Sequence, residues 1–177
     1  MSYWDSRKHF NYYQQVLKYA KKYVPQGHSV LDVGGGDCNY ISWFSWIPYK
    51  EVVDIKASKP IDGVVSTLCD FLEYKPKHVF DLVLCLQVLE HLEDPRAFCD
   101  KLLSTGQHII VSVPYQWPEG TCVGHIQDPV DEKKLQSWMR QPALEKNIVT
   151  DGRMRRLVAI YKSGASPHFS PGGGKRA

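Results

Sequence analysis

The segment from Phe80 to Leu86, FDLVLCL, constrains the fold of this chain more than any other stretch, because six of its seven residues are apolar. A strand that is apolar on both faces has to be covered on both faces, which is the usual position of a parallel strand inside an α/β sheet. Downstream, Asp94 and Pro95 have the residue types of a helix N-cap and a first helical position. The segment therefore predicts a central parallel strand that leads into a crossover helix.

The rest of the chain alternates strand and helix patterns in the same way. Apolar residues recur at three- and four-residue spacing from Ser6 to Tyr23, which predicts a helix. Asp151-Gly152, between two apolar segments, predicts a C-terminal antiparallel hairpin. Together the patterns predict an α/β protein with a doubly wound, mostly parallel sheet and helices on both faces. The other predicted strands are 29–34, Glu51–Ile55, Gly63–Phe71 and His108–Pro114, and the other predicted helices are 38–47, Pro95–Leu103 and Asp131–Met139.

Length and composition set the domain organisation. The 177 residues suffice for one domain with a sizeable core. Hydrophobic residues make up 43% of the chain and charged residues 23%, which is the balance of a globular rather than a disordered protein. We expect a single domain over residues 1–162 with an N-terminal helical arm. Residues 163–177 are rich in Gly, Ser and Pro, and we expect them to form a flexible tail.

Charge, apolar runs and cysteines narrow the function classes. A formal net charge of +3 does not indicate nucleic acid, although an anionic substrate stays open, and the basic cluster at 153–156 is interpreted as a solvated turn. No apolar run reaches about 18 residues, so no membrane span is expected. The five cysteines form no C-x-x-C pair, and the N-terminus lacks a secretory signal pattern, so we expect reduced thiols and a cytoplasmic location.

Three consecutive glycines, Gly34 to Gly36, follow the first predicted strand, at the place where open α/β sheets bind ligands. A dinucleotide-binding loop has the pattern G-x-G-x-x-G, but here Asn39 replaces the third glycine and Asp37 would repel a pyrophosphate. The alternative pattern is an acidic residue followed by x-G-x-G-x-G. It starts here at Asp32 and ends at Cys38, a small residue in place of the last glycine.

This loop resembles the first motif of the class I S-adenosylmethionine-dependent methyltransferases. The segment 80–95, FDLVLCLQVLEHLEDP, closely resembles the fourth-strand segment of the same family, with its valine, its Glu-His pair and its final acidic-Pro step. The similar segments cover about residues 30–114, and the chain is identified as a member of the small-molecule type, similar to methyltransferase types 11 and 23. The resemblance implies a Rossmann-like fold, S-adenosylmethionine as cofactor and S-adenosylhomocysteine as product.

Carboxylates at the strand ends are the first candidates for cofactor contacts. Asp54 ends the second predicted strand about 20 residues after the glycine loop, where a carboxylate can accept hydrogen bonds from both ribose hydroxyl groups. The resemblance implies that Asp70 meets the adenine amino group, although a plain helix cap is the alternative. It also implies that an apolar neighbour such as Phe71 packs on the adenine ring, and that residues around Gln87 touch the methionine part.

The N-terminal arm is expected to fold over the cofactor. Arg7 is a candidate partner for the cofactor's carboxylate, and Tyr3 or Trp4 for its sulfonium through a cation–π contact. The alternative is that these aromatic residues cover the sheet edge. The full set of predicted cofactor-binding residues is Trp4, Arg7, Asp32, Gly34, Gly35, Gly36, Asp54, Ile55, Asp70, Phe71, Gln87 and Val88.

Two histidines are the candidate catalytic residues, because an oxygen nucleophile has to lose a proton as it attacks the methyl carbon. His91 follows the fourth strand, beside the expected methyl position, and His125 lies in the segment where this family places substrate-recognition elements. Asp128 is placed to orient His125. Tyr115, His125 and Asp128 are the predicted substrate-binding residues. A structural role for either histidine stays open.

A metal site is weighed and not expected. Glu90, His91, Glu93, Asp94, His125 and Asp128 supply enough ligands, but their spacing is not diagnostic, and exposed acidic loops are usually only solvated.

The predicted function is transfer of a methyl group from S-adenosylmethionine to oxygen in a small molecule or sugar unit. The alternatives are N-methylation of a small molecule, protein or nucleic acid, a nicotinamide-dependent oxidoreductase, and a binding module without turnover. No membrane partner is expected, a nucleic-acid acceptor is disfavoured, and the oligomeric state is left open.

Overall fold

The two central strands of the sheet are β1 (Ser29–Val33) and β4 (Phe80–Leu86), both rich in apolar residues. In the computed structural model, which describes residues 3–57 and 59–165 apart from the side chain of Tyr3, they are parallel neighbours with Leu31 opposite Val83. Every residue of β1 is buried. The near-continuous apolar pattern of β4 therefore has the cause that the sequence indicates, which is cover on both faces.

The remaining strands are β2 (Tyr49–Asp54), β3 (Val65–Leu68), β5 (Gly106–Pro114), β6 (Glu145–Asp151) and β7 (Met154–Lys162). All seven form one sheet in the order β3-β2-β1-β4-β5-β7-β6. The first five strands run parallel, and β7 is antiparallel to both β5 and β6. The predicted Rossmann-like fold class is confirmed. Because the strand order reverses between β1 and β4, their carboxyl ends open a crevice.

Helices cover both faces of this sheet. On one face, α2 (Asn11–Tyr23) packs Val16 and Ala20 into a cluster with Val30 and Leu82. On the other face, α3 (Pro95–Thr105) and α4 (Glu132–Met139) close a second cluster. Each of these last two helices begins at an aspartate whose carboxylate accepts backbone N–H groups, Asp94 for α3 and Asp131 for α4. A five-residue helix, α1 (Tyr3–Arg7), precedes α2, and two 3-10 turns span Asn39–Trp43 and Leu89–His91.

The predicted helix from Ser6 to Tyr23 is wrong at its start, because the helix is interrupted at residues 8–10, between α1 and α2. Phe10 is extended, with φ −69° and ψ 134°. The first turn of α2 is fixed by the distant hairpin: the Asn11 N–H donates to Asp151 Oδ1 at 2.5 Å, and the Asn11 side-chain amide donates to the Thr150 carbonyl. A cap supplied from another part of the chain leaves no local pattern at residues 8–10.

The predicted crossover helix over 38–47 is also wrong. Only a short 3-10 turn forms, and Phe44 leaves it with ψ 54°. Its aromatic residues pack into the core beside α2. Tyr40 and Phe44 are fully buried, and the Tyr40 hydroxyl donates to the Tyr13 carbonyl at 2.7 Å. Bulky aromatic residues have modest helix propensity, so the packing of this segment decides its shape.

The C-terminal hairpin loop and the tail that follows it differ slightly from the predictions. The hairpin loop is Gly152–Arg153, one residue later than expected, with Gly152 at φ +63° and Asp151 paired with Met154. Of the predicted tail, Ser163 is tied to β5, since its N–H donates to the Gln107 carbonyl and its hydroxyl to the Gly106 carbonyl. The rest of that tail, 166–177, lies outside the described residues. Within the described residues, no helix has the length and apolar character that crossing a membrane requires.

A matched pair of leucine truncations tests the burial pattern. Leu31→Ala in β1 removes a fully buried side chain and should lower the free energy of unfolding by roughly 2–5 kcal/mol. Leu68→Ala in the edge strand β3, where the side chain is 66% exposed, should change it by less than about 0.5 kcal/mol. Urea denaturation followed by circular dichroism measures both, and equal losses would contradict the assignment of β1 to the centre of the sheet.

Candidate active site

A cavity of about 540 Å³ lies at the carboxyl ends of β1, β2 and β4, where the strand order reverses. It contains most of the predicted cofactor-binding residues and one of the two candidate catalytic histidines. The predicted residues that line it are Arg7, Asp32, Gly34, Gly35, Gly36, Asp54, Ile55, Gln87, Val88 and His91.

The glycine loop after β1 has no room for side chains. A Cβ on Gly34 would lie 2.6 Å from a methyl group of Val88, and Gly34 has φ +74°, a conformation that suits glycine. A Cβ on Gly35 would lie 2.6 Å from Asp32 Oδ2. The bare backbone therefore serves two neighbours, the residue after β4 and the carboxylate at the end of β1.

Two carboxylates face this loop. Asp32 is buried, and the Gly36 N–H donates to Asp54 Oδ2 at 2.9 Å, while the Lys56 N–H donates to Asp54 Oδ1 at 2.8 Å. Burial raises the pKa of the Asp32 carboxyl to about 7, and the neighbouring Asp54 charge contributes to the rise. The end of β1 is therefore a site where a cation is favourable and a second anion is not.

A second, smaller cavity of about 190 Å³ adjoins the first, sharing Gly34, Asp54, Ile55 and Val88 with it. Asp70 and Phe71, both predicted cofactor contacts, line this second cavity. The Phe71 ring is held by stacking on Tyr74 and by contact with Phe98, whose ring centroid is 4.9 Å away. The cavity is mostly apolar, with an acidic residue at its wall.

Gln87, the first residue after β4, is held in an unusual conformation at φ +59°. Its N–H donates to the Ser112 carbonyl at 2.8 Å, its amide group donates to Ser112 Oγ, and its side-chain oxygen accepts from Arg156 Nε at 3.2 Å. Left-handed backbone at a residue other than glycine persists when its surroundings hold it. The hydrogen bonds to Ser112 and Arg156 therefore hold the backbone in place where it leaves β4 at the cavity.

The interpretation of the cluster 153–156 as a solvated turn is wrong for Arg156. This residue is only 3% exposed and also donates from Nη1 to Asp151 Oδ2 at 3.3 Å. Its guanidinium lies 4.8 Å from the ring centroids of both Phe10 and Tyr12. The alternation of β7 turns Arg156 into the protein, which a turn-based interpretation of the basic cluster does not take into account.

His91 lies in the 3-10 turn after β4 and is exposed toward the cavity. Its Nδ1 is 2.9 Å from the Gly124 carbonyl, and because a carbonyl only accepts, Nδ1 carries the proton and donates. Gly124 itself has φ +87°, which explains a glycine at this place. In the neutral ring, Nε2 of His91 is left as a free acceptor.

His125 lies behind His91, with the two ring centroids 4.7 Å apart. Its side chain is 5% exposed, and its Nδ1 is 2.8 Å from Asp128 Oδ2. The prediction that Asp128 orients His125 matches this contact. His125 does not belong to the residues that line the larger cavity, and its catalytic role stays a prediction.

Glu90 completes this group and is fully buried. Burial raises the pKa of its carboxyl to about 8, and the charge of Asp128 contributes to the rise. Its backbone carbonyl accepts from the N–H groups of Ile126 and Gln127, which docks the segment 116–128 onto the Leu89–His91 turn.

Trp4 and Tyr115, like His125 and Asp128, lie outside the lining of either cavity. Trp4 packs edge-on against Tyr13 and Trp43, so it supports the wall rather than forming it. The Tyr115 hydroxyl donates to Glu132 Oε2 at 3.2 Å, and the Arg155 guanidinium lies over its ring. Both roles stay predictions.

The aromatic wall of the cavity is what sequence reasoning missed. Tyr12, Tyr13 and Tyr40 line it, with centroids 4.1 Å apart for the first pair and 4.5 Å for the second. Their helical spacing and apolar neighbours indicate only a core face. The consecutive Tyr12-Tyr13 pair was the one available signal, since two adjacent tyrosines cannot both point to the centre of one helix face.

Comparison with known proteins decides the family. A family model described as a methyltransferase domain matches residues 3–148. The chain is a class I S-adenosylmethionine-dependent methyltransferase. A search among curated proteins finds no sequence that matches the methyltransferase.

Solved structures share the fold of this methyltransferase at low identity. The N-methyltransferase NodS from Bradyrhizobium japonicum WM9 is 16% identical with a TM-score of 0.69, over 86% of this chain and 94% of that one. The 1,6-didemethyltoxoflavin-N1-methyltransferase from Burkholderia thailandensis, bound to S-adenosylhomocysteine, is 14% identical with a TM-score of 0.72, over 90% and 81%. The cyclase SpnF is 11% identical with a TM-score of 0.66, over 86% and 81%. The fold alone therefore does not decide the acceptor.

The buried charge of Asp32 leads to a pH prediction. A carboxyl whose folded pKa is about 7 rather than 3.8 favours the protonated form, so it costs the ligand-free protein stability as pH rises from about 4 to about 7. Asp32→Asn should therefore raise the melting temperature of the ligand-free protein at pH 8. Differential scanning calorimetry measures this shift.

The same group should link cofactor binding to pH with the opposite sign. The cationic end of S-adenosylmethionine favours ionised Asp32, so the dissociation constant of the native protein should rise roughly tenfold from pH 8 to pH 6. Other titratable groups line the same cavity, among them Cys38, Tyr40, Asp54 and His91, and burial raises the pKa values of Cys38 and Tyr40 away from this range. Titration calorimetry measures the affinity, and a dissociation constant that is flat with pH would contradict the assignment.

Asp54 should dominate cofactor affinity. Asp54→Ala removes the acceptor at the end of β2 and releases the Gly36 N–H, so affinity for S-adenosylhomocysteine should fall roughly a hundredfold, given about 1.5–3 kcal/mol for each charge-assisted hydrogen bond. Asp62→Ala, at an exposed loop position, is the matched control and should bind as the native chain does. Equal affinities in calorimetry would remove Asp54 from the site.

Proposed function

We propose that the methyltransferase transfers the methyl group to an oxygen of a small molecule or saccharide unit. The cofactor supplies an activated methyl group, so the chain has to bind it, position the acceptor, exclude water and handle a proton. The observation that carries the proposal is His91, the one imidazole that lines the larger cavity among the described residues, with its Nε2 left free as an acceptor.

The residues at the strand ends fit S-adenosylmethionine in parts. Asp70, Phe71 and Ile55 suit the adenine, because the smaller cavity offers an apolar wall and an acidic acceptor. Asp54 suits the ribose, since each of its oxygens accepts one backbone N–H and keeps a further lone pair. Asp54 and Ile55 line both cavities, and Asp70 and Phe71 line the smaller one.

The other end of the cavity suits the cationic methionine part. Asp32 offers a negative charge where the buried site disfavours it without a partner. Gly34, Gly35 and Gly36 expose backbone, Gln87 and Val88 form the opposite wall, and Arg7 lies at the rim, where a carboxylate would be favourable. We assign these residues to cofactor binding.

We propose an oxygen rather than a nitrogen acceptor, because a hydroxyl group needs a base to take its proton and the cavity offers one. A hydroxyl group is a weak nucleophile until its proton leaves, whereas an amine can lose its proton after attack. A ring nitrogen that faces the cavity as an acceptor suits a hydroxyl donor. The Gly124 carbonyl fixes the ring, so this acceptor has one orientation.

A small acceptor is favoured by the aromatic wall. Tyr12, Tyr13 and Tyr40 line the cavity, and small-molecule sites are often lined by aromatic side chains. N-methylation of a small molecule is the second candidate, favoured by the two N-methyltransferases among the similar structures. We place the reaction in the cytoplasm, because all five cysteines, which fall in the described part of the chain, are free thiols.

The choice between oxygen and nitrogen is tested with matched acceptors. The native chain is incubated with methyl-labelled S-adenosylmethionine and pairs of small aromatic or sugar acceptors that differ only in a hydroxyl or an amine. Label should appear on the hydroxyl member, as mass spectrometry detects. Label confined to the amines would establish the second candidate instead.

His91→Ala should lower turnover on that acceptor by roughly a hundredfold or more, in the range of proton-handling residues. Its affinity for S-adenosylhomocysteine should stay close to native, because His91 lies on the acceptor side of the cavity. His28→Ala, an exposed histidine at the opposite end of β1, is the control. Native turnover in His91→Ala would leave positioning alone as the source of the rate.

A further inference from the structure

Three side chains that can each offer a metal-ligand atom converge beside the cavity. One ligand atom each of Glu90, His91 and His125 lies within 4.8 Å of the other two. Such atoms repel one another unless a cation or a donor lies between them. Of this group, only His91 belongs to the cavity lining, so the cluster reaches from the protein interior to the acceptor side.

The orientation of both imidazoles follows from their Nδ1 partners. His91 donates from Nδ1 to the Gly124 carbonyl, and His125 faces the Asp128 carboxylate with Nδ1 at 2.8 Å. Each neutral ring therefore holds its proton on the side away from the cluster and keeps the Nε2 lone pair free. A histidine that ligates a metal has this arrangement, with its other nitrogen donating to a carbonyl or carboxylate.

Glu90 supplies the independent observation. It is 0% exposed, yet neither of its carboxylate oxygens has a hydrogen-bond partner among the described residues. Its Oε1 lies 4.0 Å from His125 Nε2, beyond hydrogen-bond distance. The buried guanidinium of Arg156 donates to Gln87 and Asp151. A buried carboxyl group without a hydrogen-bond partner is costly, and a cation bound beside it would compensate that cost.

We propose that Glu90, His91 and His125 bind a divalent first-row transition-metal ion. The donor set is two imidazole nitrogens and one carboxylate, which suits Zn²⁺, Mn²⁺, Fe²⁺ or Co²⁺ and leaves positions open for an exogenous oxygen. Mg²⁺ and Ca²⁺ prefer oxygen ligands and do not fit this set. Asp128 and the Gly124 carbonyl hold the two rings in place.

The geometry needs a small contraction to close on an ion. Ligand atoms about 2.1 Å from a tetrahedral ion lie roughly 3.4 Å apart, compared with 4.0 Å for Nε2 of His125 and Oε1 of Glu90. His91 is exposed and on a short turn, so its ring can move inward without disturbing the core. Glu90 and His125 form the buried part of the site, and His91 completes the ligand set from the cavity side.

This inference deepens the proposed function and rests on it. An acceptor hydroxyl bound at an open position of the ion loses its proton more easily, because the charge of the ion lowers the pKa of a bound oxygen. In this arrangement Nε2 of His91 binds the ion instead of accepting the proton directly, and the proton of the hydroxyl leaves to solvent water. The cluster selects acceptors with an oxygen that can bind the ion.

The test is metal binding by the full chain without an affinity tag, after chelator treatment and in the absence of cofactor and acceptor. Co²⁺ is titrated and followed by its visible absorption, with metal content counted by elemental mass spectrometry. One equivalent should bind, and equimolar Zn²⁺ should displace it, whereas equimolar Mg²⁺ should not. Displacement by Mg²⁺ would overturn the transition-metal class.

Variants locate the ion. His91→Ala and Glu90→Gln should weaken Co²⁺ binding by more than a hundredfold, and Asp128→Asn roughly ten- to a hundredfold. His28→Ala and the exposed neighbour Glu93→Gln are matched controls that should bind one equivalent. Because His91 is exposed, its variant should fold, which far-ultraviolet circular dichroism checks. Absence of stoichiometric binding, or binding unchanged in His91→Ala, overturns the proposal.

The outcome is separable from the proposed methyl transfer. S-Adenosylhomocysteine affinity is measured on the same chelated samples, and turnover on the hydroxyl acceptor is measured with and without added Co²⁺ or Zn²⁺. Native turnover in the chelated protein would overturn the metal site and leave O-methylation standing. A protonated Glu90 that merely fills an apolar space predicts no bound Co²⁺ and a Glu90→Gln protein at least as stable as the native one.

Discussion

The contact on which the site depends is that between the Asp32 carboxylate and the bare backbone of Gly35. It places a buried acid at the end of a central strand, 2.6 Å from where any Cβ at Gly35 would be. The chain has to turn here without side chains, and the Gly36 N–H then reaches Asp54 at the end of the next strand. The Asp54 carboxylate thus ties the loop to the end of β2, Asp32 leaves no room for a side chain at Gly35, and the crevice between β1 and β4 stays open.

Those parts of the fold that depend on local physics could be predicted from the sequence. The apolar run of β4 has to be covered, and Asp94 caps α3 through its own neighbours. The break before α2 could not be predicted, because its cap is Asp151, 140 residues away. The prediction of a helix over 38–47 is wrong for a related reason, because the burial of Tyr40 and Phe44 overrides the helical pattern of the sequence.

The site divides along the same line. Residues at strand ends, such as Asp54 and Gln87, could be predicted to meet, since parallel strands bring their carboxyl ends to one edge. The aromatic wall of Tyr12, Tyr13 and Tyr40 could not, because helical periodicity does not distinguish a core face from a cavity wall. The sequence shows Glu90 as half of a Glu-His pair and as one of several acidic residues, but its lack of hydrogen-bond partners depends on how the segment 116–128 docks over it.

Asp151 shows that the C-terminal hairpin belongs to the active site. One of its oxygens accepts the first N–H of α2, the helix that carries Tyr12 and Tyr13, where a negative charge also suits the helix dipole. The other accepts from Arg156, which holds Gln87 in its left-handed conformation. Since one carboxylate supports both walls of the cavity, a change in the hairpin has to move the aromatic wall and the end of β4 together. A sheet edge that only shielded the core would have needed neither the buried arginine nor its partner.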